Sequence, residues 1–306
     1  MYAIVSRRFG ELELEEIEKP ELEPGRVLVR VRAAAVNPLD YYELRGRPLV
    51  ARPMLGWTKP KQSRRGVDVA GVVEAVADDV TEFAPGDEVF GSGRGSFGEY
   101  VRPLTTVIAK KPAGLSFEQA AALPVAGVTA LQGVRDKGQV HEGQRVLVNG
   151  AGGGVGHFAV QIAKALGAHV TGVCSSGKVA LVRSLGADEV IDYTRDDFTR
   201  GSTRYDVIVN CARGRSLRAL QRALKPHGKL VMAAGTIRQL LAGIPRRRVV
   251  PYLANITSED LLYLAELCES GKLRPVIERT YPLREVPEAL RYLEEGHASG
   301  KVVVTV

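Results

Sequence analysis

Cysteine is scarce in this chain of 306 residues: there are three, Cys174, Cys211 and Cys268, odd in number and scattered. That argues against a disulfide framework, and no thiol precedes Cys174. Long apolar runs are missing too. None approaches the roughly 20 residues needed to cross a bilayer. The opening MYAIVSRRFGELELEE has no apolar stretch bounded by a cleavage site, so the expected compartment is the cytoplasm and no membrane partner is expected. Aromatics make up only 6% of residues, and none interleaves the run Pro245-Arg246-Arg247-Arg248. A stacking platform for single-stranded nucleic acid is therefore not visible, although the net charge of +7 and Arg238 near that run keep a basic patch as a rival reading. There are no internal repeats, no catalytic triad and no carboxylate pair, and His141, His157 and His227 read as ordinary loop or helix-end residues.

A chain of this length is long for one core and points to two domains. Residues 1–116 carry short alternating runs, such as Val27-Leu28-Val29-Arg30-Val31-Arg32, with turn punctuation between them. From 117 to 255 the pattern predicts strands alternating with helices, the strands at Arg145–Asn149, His169–Cys174, Glu189–Asp192, Asp206–Asn210 and Lys229–Ala234. That alternation predicts an α/β fold, a doubly wound parallel sheet of the Rossmann kind beside a β-rich domain. Helices at Ser258–Ser270 and Pro287–Glu295 and a strand at Val302–Val306 follow.

The most informative stretch is Gly143 to Tyr193, which reads as strand, glycine turn, helix, strand. Gly153 and Gly156 take the second and third positions of G-x-G-x-x-G; Ala151 stands at the first, a departure. The turn with Gly154 and the helix start near Val155 are expected to receive the phosphates of a dinucleotide on free backbone N–H groups. One further absence bears on which dinucleotide. No acid closes the second strand, where an NAD-preferring site places one; Cys174-Ser175-Ser176-Gly177-Lys178 stands there instead. Lys178, with Ser175 and Ser176, is expected to partner a 2′-phosphate, the competing role being a solvated lysine. Gly172–Lys178 also fits G-x-x-x-x-G-K, but Val179 lacks the hydroxyl that would hold magnesium.

Seven segments, in order, resemble the zinc-independent quinone oxidoreductases of the medium-chain dehydrogenase/reductase superfamily. They are Ala35–Asp40 (AVNPLD), Gly66–Gly71 (GVDVAG), Phe83–Val89 (FAPGDEV), Gly95–Tyr100 (GSFGEY), Ala120–Pro124 (AAALP), Gly127–Ala130 (GVTA) and Gly300–Val303 (GKVV). The resemblance implies a GroES-like first domain to which residues 256–306 return, a Rossmann domain over 117–255, NADPH as cofactor, and a homodimer. It also places Tyr193 by the adenosine phosphate and Thr129 and the loop Ala233–Thr236 (Ala234, Gly235, Thr236) near the nicotinamide; Lys301 is expected within reach of the cofactor, the competing role being a solvated lysine before the last strand. Asn210-Cys211-Ala212-Arg213 departs from the family's Asp-x-Val-Gly. Some members bind RNA, and a non-catalytic NADPH-binding or RNA-binding protein is the alternative from another class.

Zinc alcohol dehydrogenases of that superfamily hold metal with Cys and His. Here the matching motifs carry Asn37 and Gly66-Val67-Asp68, and no Cys-rich lobe follows Tyr100. No metal is expected. Without a Lewis acid, hydride is expected to enter a conjugated acceptor, a quinone or an enone (alkenal). The resemblance places Asn37 and Tyr42 at the active site; the competing roles are a turn residue for Asn37 and a packing ring for Tyr42. Asp40 and Asp68 are expected to anchor loops.

Prolonged dialysis against a strong chelator should leave turnover unchanged. Loss of activity with recovery on adding zinc would overturn the metal-free assignment.

Overall fold

The computed structural model describes residues 1–47, 49, 52–234 and 248–306, which form two compact units. The first comprises Met1–Val125, Ile256–Glu269 and Pro275–Val306; the second, Ala126–Asn255 and Ser270–Arg274. The division after Val125 keeps the helix Phe117–Ala121 with the first unit, and the short Ser270–Arg274 segment joins the second. Both details differ from a boundary at 116 and 255.

In the first unit a sheet runs in the order Ile277–Pro282, Lys301–Thr305, Val27–Val36, Asp68–Val76, Glu88–Ser92 and Ile108–Lys110, with Tyr100–Val101 also paired to Val27–Val36. All pairings are antiparallel except Ile277–Pro282 with Lys301–Thr305. Val27, Val29 and Val31 point into a valine-rich core with Val69, Val73, Val89 and Ile108, as period-two side chains on one face of a strand must. Ala34, Val36, Val302 and Val304 pack with Ile4, Phe97 and the helix Val286–Glu294 in a second cluster. The last strand pairs with the first long one, Val303 opposite Ala35, so residues from the two ends of the chain meet.

The second unit is a six-stranded, wholly parallel sheet in the order Glu189–Asp192, His169–Cys174, Arg145–Asn149, Tyr205–Asn210, Leu224–Met232, Val249–Pro251. Numbered within the unit this is 3-2-1-4-5-6, the doubly wound order whose ligand crevice lies where the order reverses, between Arg145–Asn149 and Tyr205–Asn210. The helix Gly156–Ala165 buries eight of its ten residues, which apolar spacing on nearly every face demands. Three strands differ from expectation, the fourth by its start at Tyr205 rather than Asp206. The fifth begins at Leu224 rather than Lys229, with an irregular register opposite Tyr205–Val207, and the sixth, Val249–Pro251, is only three residues long.

Candidate functional site

The reversal point is bound by side chains as well as by strand pairing. Asn149 and Asn210 are register partners at the carboxyl ends of their strands, and Asn149 Nδ2 donates to Asn210 Oδ1 at 2.7 Å. Asn210 Nδ2 donates in turn to the Ala212 and Ala234 carbonyls at 2.9 and 3.0 Å, while the Ala234 N–H returns to the Asn210 carbonyl at 2.9 Å. The departure at Asn210 thus fixes Ala234. Gly235 and Thr236 lie outside the described residues.

The glycine turn follows Asn149 directly. Gly150 takes φ 85°, and the N–H groups of Gly150 and Ala151 both donate to the Val173 carbonyl, at 3.0 and 2.9 Å. A Cβ on Gly156 would stand 2.0 Å from the Gly150 carbonyl oxygen, so only glycine lets the helix start this close to its strand. No side chain caps that helix at Val155; the His157 N–H donates to the Gly153 carbonyl at 3.1 Å, and the turn residues just before it offer backbone N–H groups towards an anion. Gly153 tolerates a Cβ at 3.4 Å. Gly152, which pattern matching passes over, is the tighter position: a Cβ there would meet the Lys178 stem at 2.9 Å. Lys178 therefore lies against the turn.

Ser175 and Ser176 begin the loop that leads to Lys178. Ser176 Oγ donates to Asp192 Oδ2 at 2.5 Å, and Asp192 also accepts from the Thr194 hydroxyl and N–H at 2.7 and 3.0 Å. The Ser176 hydroxyl bond, followed by those from Thr194, holds the Asp192 carboxyl below its usual range. An acid therefore does stand beside this loop. It comes from the neighbouring strand, where Asp192 is the register partner of Cys174, and only the pairing of strand ends could have revealed it. Tyr193 follows, half exposed, its N–H on the Cys174 carbonyl at 3.0 Å. Thr129, on the helix Pro124–Leu131, accepts the Tyr252 hydroxyl on its carbonyl. Arg248, the one described member of the basic run, donates to the carbonyls of Gly228 and Lys225 and so belongs to the sheet end.

In the first unit, Asn37 caps the helix Pro38–Leu44, its N–H donating to Asp40 Oδ2 at 2.7 Å. Its amide donates to the Ala35 carbonyl at 3.2 Å and to Asp68 Oδ2 at 2.9 Å, and its Oδ1 accepts from Lys301 Nζ at 2.6 Å. Asp68 receives Lys301 at 3.4 Å and, on its other oxygen, the Val125 N–H at 2.9 Å. Asn37, Asp40, Asp68 and Lys301 are all at most 4% exposed. Asn37 was expected at the active site, with a turn residue as the competing role; in the structure both its amide hydrogens and its oxygen are engaged. Lys301 was expected at the cofactor, but its ammonium is held by Asn37 and Asp68. Tyr42 sits half-buried on the helix Pro38–Leu44, its ring 4.5 Å from that of Tyr41.

Two buried carboxyls share one buried ammonium. Burial pushes Asp40 up to about 8 against the pull of the Asn37 N–H, and the charge of Asp68 adds to the rise. Burial also raises Asp68, opposed by Lys301 and Asn37. Burial thus favours the protonated form of both carboxyls, while Lys301 opposes this more strongly at Asp68, which it touches, than at Asp40.

Two family models match: an alcohol dehydrogenase GroES-like domain over residues 23–113 and a zinc-binding dehydrogenase over 185–304. The mouse mitochondrial NAD(P)H oxidoreductase RTN4IP1 is 36% identical over 92% of this chain and 82% of its own length. The Arabidopsis thaliana chloroplastic NADPH-dependent alkenal/one oxidoreductase is 33% identical over 99% of this chain and 79% of its own. The solved quinone oxidoreductase of Coxiella burnetii superposes with a TM-score of 0.90, at 33% identity, over 100% of this chain and 99% of that one. The chain belongs to the zinc-independent quinone oxidoreductases of the medium-chain dehydrogenase/reductase superfamily. The first two relatives are organellar by name, whereas this sequence led us to expect the cytoplasm.

Within that superfamily, the name of the second family model implies zinc, and the residues do not fit it. Where a metal would need thiolate and imidazole, Asn37 and Asp68 already bind the ammonium of Lys301. Among the described residues, no group of three or more His, Cys, Asp or Glu side chains is disposed to hold an ion.

The buried proton on Asp40 has a stability signature. Its folded value, about 8, lies above the ordinary 3.8, so the unfolded chain releases this proton first as pH rises. Stability conferred by this group is then complete below about pH 4 and declines towards pH 8, by on the order of 1 kcal/mol per pH unit at most. Asp40→Asn keeps an acceptor for the Asn37 N–H and removes the titration. Denaturant midpoints at pH 5 and pH 8 should fall less in the variant than in the parent. Equal falls would refute the buried proton.

Proposed function

We propose that this protein passes hydride from NADPH to a quinone or another conjugated carbonyl, without a metal. The observation that carries the cofactor choice is the Lys178 stem packed against Gly152 of the phosphate turn, with no acid at the end of its own strand. Asp192 is the countervailing charge, but Ser176, Thr194 and Arg195 surround it, so its field is largely answered within the unit. The alkenal/one relative is NADPH-dependent by name, which supports the same choice.

Bound NADPH would supply the hydride, and one proton from solvent completes reduction of a quinone to its hydroquinone. The chain's residues do the rest. The turn Ala151–Gly156 would hold the pyrophosphate through the N–H groups of Gly154, Val155 and Gly156, those of Ala151 and Gly153 being engaged by the Val173 and Gly150 carbonyls; Ser175 and Lys178 would take the 2′-phosphate, joined by Ser176 if its hydroxyl leaves Asp192; Tyr193 would lie along the adenosine phosphate. Thr129 and Ala234 would border the nicotinamide. Asn37 holds the start of the helix that carries Tyr42, and the Tyr42 hydroxyl would orient the acceptor oxygen. With no Lewis acid to polarise an isolated carbonyl, charge arriving with the hydride must spread through the acceptor itself, which favours quinones and enones. Enone or alkenal reduction is the second reading, favoured by the same relative.

Replacing Lys178 with Ala should weaken NADPH binding by about 1–3 kcal/mol and leave NADH nearly unchanged, as read by fluorescence titration of both cofactors. Equal losses would remove the 2′-phosphate assignment.

NADPH oxidation followed at 25 °C across a panel of acceptors should be far faster with quinones and enones than with saturated aldehydes and ketones. Tyr42→Phe should lower kcat/KM for the acceptor while NADPH affinity holds, because the ring and its packing remain. Saturated aldehydes as the best substrates, or tight NADPH binding with no acceptor turned over, would sink this reading.

A further inference from the structure

Residues 45–65 contain seven Lys and Arg and no Asp or Glu, in a chain whose whole net charge is +7. Inside that stretch the chain displays apolar side chains to water. Met54 is 80% exposed, Leu49 72%, and Trp57, the single tryptophan of the protein, 72%.

The segment is held by polar bonds. Arg52 stacks on the Phe9 ring at 3.9 Å and donates to the carbonyls of Gly46 and Trp57, both at 2.7 Å. Lys61 returns its N–H to Leu55 and its ammonium to Pro53, both at 2.8 Å. Gly56, at φ 116°, closes the turn where a Cβ would stand 2.0 Å from the Lys59 carbonyl oxygen. The backbone is therefore fixed without burying Met54 or Trp57, and the exposed cations Arg47, Lys59 and Lys61 flank them in sequence.

We propose that Arg52–Lys61, with Arg47 and Leu49, is a docking surface for an anionic lipid bilayer. Indole and thioether groups suit the boundary between headgroups and acyl chains, and ammonium and guanidinium groups suit lipid phosphates. Single-stranded nucleic acid would call for several stacking rings, and Trp57 is the only aromatic residue between Tyr42 and Phe83. A second copy of this chain would oppose like charges across a two-fold axis. The expectation of no membrane partner was a test for spanning segments; among the described residues no helix is long and apolar enough to cross, and a surface contact needs none. Docking here would bring the protein to the phase in which apolar quinones dissolve, but it does not depend on the acceptor assignment.

Because Trp57 is the only tryptophan, its emission reports on this surface alone. The full-length protein should shift its emission to the blue and co-sediment with phosphatidylcholine vesicles that contain phosphatidylglycerol. It should do neither with phosphatidylcholine alone, and added salt should reverse both. Lys59→Glu with Lys61→Glu should weaken co-sedimentation about tenfold or more, and Met54→Ser with Trp57→Ala should weaken it as well; NADPH binding and circular dichroism serve as controls for folding. No co-sedimentation of the parent protein at low salt would overturn the proposal. So would a Trp57 shift produced by RNA or by raised protein concentration but not by vesicles. Variants that bind vesicles like the parent yet raise the acceptor KM would reassign the patch to the acceptor.

Discussion

A single buried ammonium ties together much of the first unit. Lys301 opens the last strand, yet it is bonded to Asn37 and Asp68, residues 264 and 233 positions earlier. An ammonium at 3% exposure is tolerable only when anionic and carbonyl oxygens replace its water, so the strand register that sets Lys301 beside them is constrained by charge as well as by valine packing. Asp68 extends the tie to the N–H of Val125, at the start of the next helix, and Asn37 extends it to the helix that bears Tyr42. The same ammonium accounts for the metal-free chemistry: the oxygens that might have joined a ligand set already have their cation.

The parallel sheet has a different constraint, one of distance rather than charge. The Gly150 carbonyl sits where any side chain on residue 156 would be, and the Lys178 stem sits where one on residue 152 would be. Glycine at these two positions lets the backbone turn tightly and lets a cation fold over it. The helix that follows starts without a side-chain cap, a feature that suits an anion at its N-terminus.

What was legible in the sequence was local. Strand runs, glycine turns and helix periods are set by neighbours within a few residues, and Arg145–Asn149, His169–Cys174 and Glu189–Asp192 occupy the expected positions to the residue. Their alternation with helices implied a parallel sheet, as found. What stayed hidden depends on partners far away in sequence. Nothing near Lys301 signals that Asn37 and Asp68 would claim it, nothing near Asn37 signals that its amide would be fully engaged, and nothing near Ser176 signals an aspartate 16 residues on. The strand Val249–Pro251 was missed for another reason, since three residues are too few to show a period.

These two constraints divide the chemical work. In the first unit, buried polar groups are consumed in holding one another: Asn37, Asp68 and Lys301 bind one another, and burial raises Asp40, which also feels the charge of the buried Arg65 guanidinium. An ammonium and a carboxylate bound to each other in this way offer little field with which to polarise a stubborn carbonyl. An enzyme so arranged must rely on an acceptor that disperses incoming charge through its own conjugation, and on placement. Placement is what a fixed helix start provides, because any shift of Asn37 would break bonds to Ala35, Asp68 and Lys301 together. A conjugated acceptor would suit such a site, and the buried lysine is the physical reason why its oxygens are already engaged.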